Sequence, residues 1–185
     1  EAAPGPGAGG GFSLGPLDLE ARRGELLVVV GESGAGKTSL LRALLAEMPQ
    51  TGGEARCGAP PCPYAEQAPQ AFGGSIRDNI LLGLPYDGCA YRRAVEACDL
   101  GPDLEALPRG DASEVGDGQT LSSGQRSRIG LARAVYCMLV CRRDLLLLDE
   151  PFAALDHDTC SLICQRLFGQ EGVAAGAAVV LCTSN

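Results

Sequence analysis

Hydrophobic residues along this chain form short continuous runs, separated by longer stretches in which apolar residues recur at helical spacing. The runs at Leu26–Val30, 145–148 and 177–182 are apolar at successive positions, which is typical of buried parallel strands. Spacing and capping residues predict helices that begin near Lys37 and that span residues 75–82, 90–98, 122–140 and His157–Phe168. Strands that alternate with helices predict an α/β fold with a mostly parallel sheet covered on both faces.

Weaker signals flank these elements. Residues 12–19 carry alternating apolar positions, which predict an edge strand before Leu26–Val30. Residues 49–63 are rich in Gly, Pro and Cys and are predicted to form loops around short strands. Gly101-Pro102 and the polar stretch 110–119 are predicted to interrupt the helical region.

A glycine-rich segment directly after the first strand carries a phosphate-binding pattern. It reads GESGAGKTS and matches G-x-x-x-x-G-K-[ST] in full. Backbone N–H groups of such a loop converge on phosphate oxygens at the positive end of the following helix. Lys37 is expected to reach the terminal phosphates of a nucleoside triphosphate as a catalytic residue, and Thr38 to ligate Mg²⁺. The predicted nucleotide-binding residues are Gly31, Glu32, Ser33, Gly34, Ala35, Gly36, Lys37, Thr38 and Ser39.

Two acidic residues follow the second apolar run. The carboxyl ends of parallel strands open onto the ligand crevice, so Asp149 and Glu150 are expected to emerge beside the phosphate loop. Asp149 is predicted to orient the magnesium ion, directly or through Thr38. Glu150 is predicted to hold an attacking water or accept its proton, and the alternative is a solvated loop carboxylate.

The segment LSSGQ precedes the longest predicted helix. Ser122 and Gln125 have the spacing of a capping box, so a well-capped helix explains them without any ligand. The start of a helix is also an anion site, which makes Ser122, Ser123, Gly124 and Gln125 candidate nucleotide contacts.

Composition restricts the partners. The 185 residues, 45% of them apolar, suit one compact domain, preceded by a flexible linker at residues 1–11. The net charge of −8 argues against a nucleic-acid partner, and no apolar stretch is long enough for direct bilayer insertion. Nine cysteines, an odd number in apolar or helical contexts, favour free thiols in a reducing compartment. His157, Cys160 and Cys164 have the spacing of one helical face. A zinc site is one interpretation of these residues, and thiols buried on a helical face without a metal are the alternative.

In combination, these motifs resemble the nucleotide-binding domain of an ATP-binding cassette (ABC) transporter. The resemblance rests on GESGAGKTS, LSSGQRSRIGLARAVY, DLLLLDEP and AALD, in the order typical of the family. It implies a RecA-like P-loop NTPase fold over residues 12–185, truncated at both ends. That fold would include a helical subdomain at about 75–140 and a partial antiparallel β subdomain. Residues 66–83 and 107–119 further resemble the C subfamily, the multidrug-resistance-associated type, and its first cassette.

The resemblance also implies partners and further roles. Gln67 would be the magnesium-sensing and catalytic glutamine that couples the domain to membrane helices, and Asp156 would lie in the loop that crosses between paired cassettes. ATP with Mg²⁺ would bind between the phosphate loop of one cassette and the LSSGQ-type segment of a second. The chain would then serve transmembrane domains of the same transporter at the cytoplasmic face of a membrane and drive export of a substrate.

Several positions depart from the family pattern. Ser123 stands where the family has glycine, and Ser184 stands where it has histidine. No aromatic residue precedes Phe12 to stack on adenine. These departures predict weak ATP affinity and slow turnover, and they keep open a regulatory cassette that holds ATP with little hydrolysis. A soluble ABC-type ATPase is a further alternative.

Overall fold

The computed structural model describes residues 13–57, 61–116 and 121–184. The predicted linker at residues 1–11 lies outside these ranges. In chain order the elements are β1 (Leu26–Val30), α1 (Lys37–Leu44), β2 (Tyr64–Ala65), β3 (Gly74–Ser75), α2 (Ile76–Leu81), α3 (Gly88–Ala97), α4 (Gly101–Glu105), a 3-10 turn (Gly110–Ala112), β4 (Glu114–Val115), α5 (Ser123–Val140), β5 (Leu145–Asp149), α6 (His157–Phe168) and β6 (Ala178–Thr183).

The main sheet has four parallel strands in the order β1-β6-β5-β2. Leu26 of β1 is in register with Val179 of β6, and Leu145 of β5 with Ala178 of the same strand. β5 and β6 are almost wholly buried, as their continuous apolar sequences predict. Because the strands run in one direction, the ends of β1, β5 and β6 share one edge of the sheet, where the phosphate loop begins. The predicted fold class is confirmed.

A small antiparallel pair lies apart from this sheet, where Gly74 of β3 faces Val115 of β4. The predicted edge strand at 12–19 is wrong over its described part, because residues 13–19 form no strand. Its leucines are spaced unevenly, Pro16 lacks an N–H for strand pairing, and Leu17 and Leu19 remain 55% and 50% exposed. Short strands were also expected within 49–63, yet the described part of that segment is loop and β2 starts only at Tyr64.

Helix α5 is the centre of the larger hydrophobic core. It packs against α2 and α3 on one side and against β2 and β5 on the other. Its Tyr136 is fully buried, where the hydroxyl donates to Pro85 O (2.5 Å) and accepts from Asp87 N (2.9 Å). The polar end of this large side chain is therefore satisfied inside the core.

Helix boundaries follow the sequence signals with one exception. Ser75 and Ser122 cap α2 and α5 through complete capping boxes, so each helix begins one residue after its predicted start. Gly101-Pro102 was predicted to break the helical region but instead opens α4, because proline is compatible with the first turn of a helix. Within the described ranges, no helix combines the length and the apolar character needed to cross a membrane.

Candidate functional site

The loop between β1 and α1 is shaped by glycines at positions that require them. Gly34 and Gly36 have φ angles of 84° and 96°, in the left-handed region that side chains rarely adopt. A Cβ at Gly34 would meet no atom within 4 Å, so the loop is open towards solvent there. Gly36 precedes α1 without any side-chain cap, which leaves the start of this helix available to an anion.

Lys37 folds back over this loop. Its Nζ donates to Gly31 O (2.6 Å) and to Glu32 O (3.1 Å), and it lies 3.1 Å from Glu150 Oε1. The lysine side chain is only 8% exposed, so its charge depends on these partners rather than on water. Gly31 and Glu32, predicted to bind nucleotide, thus contact Lys37 through their carbonyl groups.

Asp149 lies at the end of β5, opposite the start of α1. Thr38 Oγ1 donates to Asp149 Oδ2 at 2.7 Å, and the Tyr64 hydroxyl is 3.4 Å from the same oxygen. Burial, together with the negative charge of Asp149, raises the pKa of Tyr64 to about 12, so this phenol stays protonated and able to donate. Asp149 Oδ1 is buried without a hydrogen-bond partner among the described residues. A carboxylate oxygen in that position fits a hard cation such as Mg²⁺.

Glu150 follows with a left-handed backbone, at a φ of 47°. Its N–H donates to Cys182 O (2.9 Å), which continues the β5–β6 ladder by one residue. Ser184 N donates to Glu150 Oε2 at 3.1 Å, and the Ser184 hydroxyl makes a short hydrogen bond to Oε1. Burial alone would raise the pKa of Glu150, but the bonds from Ser184 and Lys37 outweigh it and hold this pKa below its ordinary value.

Ser184 is the site residue that sequence reasoning missed. The sequence marks this position only by the replacement of a histidine, whereas in the structure the Ser184 hydroxyl and amide contact both oxygens of Glu150. The signal was available in the strand order, because β6 lies between β1 and β5 and must therefore end beside both the phosphate loop and the paired acids.

Most of the predicted residues of the phosphate loop line one pocket of about 300 Å³, whereas Gly31, Glu32 and Ala35 are not part of its lining. Gln67, an exposed residue just after β2, lines the same pocket. The full lining consists of Ser33, Gly34, Gly36, Lys37, Thr38, Ser39, Gln67, Asp149, Glu150 and Ser184. The structure thus brings Lys37, Gln67 and Glu150, predicted to be catalytic, to one place.

The LSSGQ segment is not part of this pocket. Ser122 Oγ accepts from Gln125 N (3.1 Å), and Gln125 Oε1 accepts from Ser122 N (2.9 Å). Ser123 is exposed, and an added Cβ at Gly124 would lie 3.3 Å from Ala154 O. The candidate nucleotide contacts of this segment therefore form a second surface, which does not meet the phosphate loop of the same chain.

The alternative zinc site is not supported. No group of three or more His, Cys, Asp or Glu side chains within the described ranges has an arrangement that could hold a metal ion. Cys160 and Cys164 are partly buried on α6 as free thiols. Partly buried thiols on a helix behave as small hydrophobic side chains and need no metal.

The sequence of this chain is similar to that of a known protein family. The sequence model of the family described as "ABC transporter" matches residues 14–153, which include the phosphate loop, the LSSGQ segment and both acids. The chain belongs to the ABC transporter family. Domains of this family are generally ATPases that bind ATP, typically with Mg²⁺.

The ABC domain resembles curated transporters from fungi and mammals. It is 43% identical to "ABC-type transporter braE" of Annulohypoxylon truncatum over 92% of the chain and 12% of that protein. It is 43% identical to "ATP-binding cassette sub-family C member 4" of Mus musculus over 84% of the chain and 12% of that protein. It is 40% identical to "ATP-binding cassette sub-family C member 3" of Homo sapiens over 92% of the chain and 11% of that protein.

These similarities confirm the predicted likeness to the C subfamily. The chain spans only about 12% of the length of the relatives it matches. Assignment to a first cassette is not tested by them and stays a prediction, as does the helical subdomain at about 75–140.

Proposed function

We propose that this ABC domain binds ATP with Mg²⁺ in the pocket above the phosphate loop and hydrolyses it to drive export by a membrane transporter. The observation that carries the proposal is the convergence of a lysine, a threonine and two acids at the edge of a parallel sheet. Lys37 and Thr38 open α1, whereas Asp149 and Glu150 stand at the end of β5, more than 100 residues later in the chain. Each of the four has a polar partner within this group. A lone phosphate-loop motif without such acids would support binding only.

Each residue has a defined task in this proposal. The amides of the glycine loop and Lys37 hold the phosphate chain of ATP. Thr38 and Asp149 hold the magnesium ion, which neutralises charge on the phosphates when bound, and the free Asp149 Oδ1 supports this role. Gln67, which lines the same pocket, is proposed as a metal-sensing residue that contributes to catalysis.

Glu150 is proposed to orient the attacking water and to take its proton. Its lowered pKa keeps it ionised near neutrality, as a base requires. Lys37 neutralises one of its oxygens in this structure, so the lysine must exchange this carboxylate for phosphate when ATP binds. Ser184 remains on the carboxylate through that exchange and keeps it directed into the pocket.

The second surface supports pairing with another cassette. Ser122, Ser123, Gly124 and Gln125 stand at the start of α5 outside the pocket of their own chain. We propose that they contact the ATP held by the partner cassette, in a head-to-tail pair attached to transmembrane domains. In such an assembly this domain lies at the cytoplasmic face of the membrane, without nucleic acid as a partner and without inserting into the bilayer itself.

Two departures from the family pattern favour a second function. This function is that of a regulatory cassette, which holds ATP and seldom hydrolyses it. A serine stands at the position where the family has a histidine, and the additional side chain of Ser123 stands where the family has glycine. Both changes affect the hydrolytic arrangement more than the phosphate loop. Slow turnover with tight ATP-dependent pairing would identify this function.

Substitution of Glu150 tests the proposal. A general base contributes about 10²–10⁴-fold in rate, or roughly 3–5 kcal/mol of barrier, so Glu150→Gln should lower ATP turnover by that factor while ATP binding persists. Glu171→Gln is the matched control, because Glu171 is exposed in the loop before β6, at the opposite edge of the sheet. Equal turnover in the two variants would refute the role of Glu150 as the base, whereas turnover that is already slow in the wild type would favour the regulatory cassette.

A further inference from the structure

A network of polar and charged side chains joins the start of α5 to α6. Gln125 Nε2 donates to Asp103 Oδ1 at 3.1 Å, and Arg128 Nη2 lies 2.7 Å from Asp103 Oδ2 as an ion pair without hydrogen-bond alignment. Arg128 Nη1 lies 4.0 Å from Asp99 Oδ2, and Asp99 Oδ1 accepts from Arg166 Nη1 of α6 at 2.9 Å. The carboxylates of Asp103, in α4, and of Asp99, in the turn before it, thus connect α5 with α6.

The central side chains of this group are largely shielded from water, whereas Arg166 at its far end is 40% exposed. Arg128, Asp103 and Asp99 are 16%, 17% and 19% exposed, whereas the arginine of the surface pair Arg77–Asp111 is 45% exposed. Charges this deeply placed are weakly screened, and removing one partner leaves the other poorly solvated. The contacts therefore restrain the helices more firmly than an exposed ion pair does.

Asp103 fixes the orientation of the Gln125 amide. The oxygen of this amide accepts from Ser122 N, and its nitrogen donates to Asp103, so both ends of the group are engaged. Without an acceptor at position 103, the amide loses the contact that directs its oxygen towards Ser122. The capping box that sets the first turn of α5 therefore depends on a residue in another helix.

The loop before α6 lies against the same turn. Gly124 has so little space that an added Cβ would lie 3.3 Å from Ala154 O and 3.6 Å from Leu155 Cδ2. Asp156 then caps α6 by accepting from Thr159 N at 2.9 Å. The start of α5 therefore packs against the loop that leads into α6, while the carboxylates link α5 to Arg166 in the last turn of α6 itself.

We propose that Asp103 is a positioning residue for the segment Ser122, Ser123, Gly124 and Gln125. It holds the capped first turn of α5 in the orientation in which this segment can meet the phosphates of ATP on a partner cassette. Arg128 fixes Asp103 in turn, and the link through Asp99 and Arg166 ties the arrangement to α6. This inference rests on the proposed function for its purpose, but not for the local order that it predicts.

Amide hydrogen exchange on the full chain, read at residues 122–126, tests the local order. Asp103→Ala should speed exchange there by roughly tenfold, the value of one hydrogen bond to a charged group. Asp103→Asn keeps an acceptor for Gln125 and should stay within about twofold of wild type. Asp111→Ala is the matched control, since it removes an aspartate of comparable exposure that pairs with Arg77 at 2.9 Å.

Three results would overturn the inference. The first is exchange at residues 122–126 that is no faster in Asp103→Ala than in Asp111→Ala, and the second is a uniform increase along the chain. The third is failure of Asp103→Asn to restore protection, which would mean that the hydrogen bond to Gln125 does not order the turn.

Turnover in the complete transporter separates this inference from the proposed function. Asp103→Ala should lower kcat by roughly tenfold without a comparable change in the KM for ATP, because the phosphate loop of the same chain is intact. Absence of turnover in the wild type would refute the hydrolytic proposal, while the exchange measurement would still decide whether Asp103 positions the segment. Unchanged kcat with faster exchange would show that the segment is ordered by Asp103 but not used in the reaction, which overturns the positioning role.

Discussion

The Lys37 ammonium lies 3.1 Å from a carboxylate oxygen of Glu150, and the two side chains are 8% and 9% exposed. This pair joins the residue proposed to hold phosphate to the residue proposed to activate water. While the two side chains are paired, Lys37 cannot hold a phosphate and Glu150 cannot take a proton from water. Binding of a triphosphate therefore has to separate them, which links occupancy of the phosphate loop to release of the base.

Ser184 should prove necessary for turnover although it replaces a histidine. Ser184→Ala removes the hydroxyl that bonds Glu150 Oε1 and leaves the amide bond from residue 184 to Oε2, together with the ion pair between Lys37 and Oε1. Hydrogen bonds to charged groups contribute about 1.5–3 kcal/mol, so we expect turnover to fall by roughly 10–100-fold at nearly constant ATP affinity. Steady-state kinetics would measure this. Ser184→Thr keeps a hydroxyl and should retain most activity, and equal rates for the two variants would contradict the role.

Asp149→Asn should separate stability from metal-dependent binding. Asp149 is 1% exposed, and its Oδ1 finds no hydrogen-bond partner in the described part of the chain, a state in which a buried charge is costly. The neutral side-chain amide of the Asp149→Asn variant should therefore leave the free energy of unfolding unchanged or increase it. The same substitution should weaken ATP binding in Mg²⁺ by roughly tenfold, to the level seen with EDTA. Denaturant titration and calorimetry check the two halves, and an ATP affinity still strengthened by Mg²⁺ would argue against the ligand role.

Gly130→Ala should destabilise the protein. A Cβ at this position in α5 would lie 2.4 Å from Pro69 Cβ, in the segment that follows Gln67. Overpacking of this kind costs about 1–3 kcal/mol, measurable as a lower denaturant midpoint. Gly176→Ala is the control, because an added Cβ there meets no atom within 4 Å. Similar midpoints for both variants would show that the Pro69 segment moves away freely.

Cysteine reactivity should follow burial. Cys98 is fully buried, and that burial raises its pKa, so neither access nor thiolate formation favours modification. Cys89 is exposed at the start of α3. Iodoacetamide at pH 8, followed by peptide mapping, should label Cys89 in the folded protein and Cys98 only after denaturation. Equal labelling rates under native conditions would mean that α3 opens readily.

Contiguous patterns determined how much was predictable. The strands β1, β5 and β6 and the phosphate loop were recognisable because each is encoded in five to nine adjacent residues. Residues 12–19 have irregular apolar spacing that only approximates the alternation of a strand, and Gly-Pro is compatible both with a helix break and with the first turn of a helix such as α4. These errors concern local conformations that depend on neighbouring elements.

The contacts that complete the site were not predictable in the same way. The bond from Ser184 to Glu150 joins residues 34 positions apart, and that from Gln125 to Asp103 spans 22. Both depend on how elements pack, which no short motif encodes. The sequence identified the reacting groups, whereas the residues that hold them in place became visible only in the fold.

The central claim is that the phosphate loop binds ATP with Mg²⁺, and titration with both tests it most directly. The proteins to compare are wild type, Lys37→Ala and, as a control, Arg56→Ala. Arg56 is an exposed basic residue away from the pocket. The account predicts saturable binding to wild type and to Arg56→Ala, and an affinity lower by roughly 10–100-fold for Lys37→Ala, because a charged hydrogen bond to phosphate is lost. Binding of equal strength in all three proteins, or no saturable binding to wild type even within an assembled pair of cassettes, would contradict it.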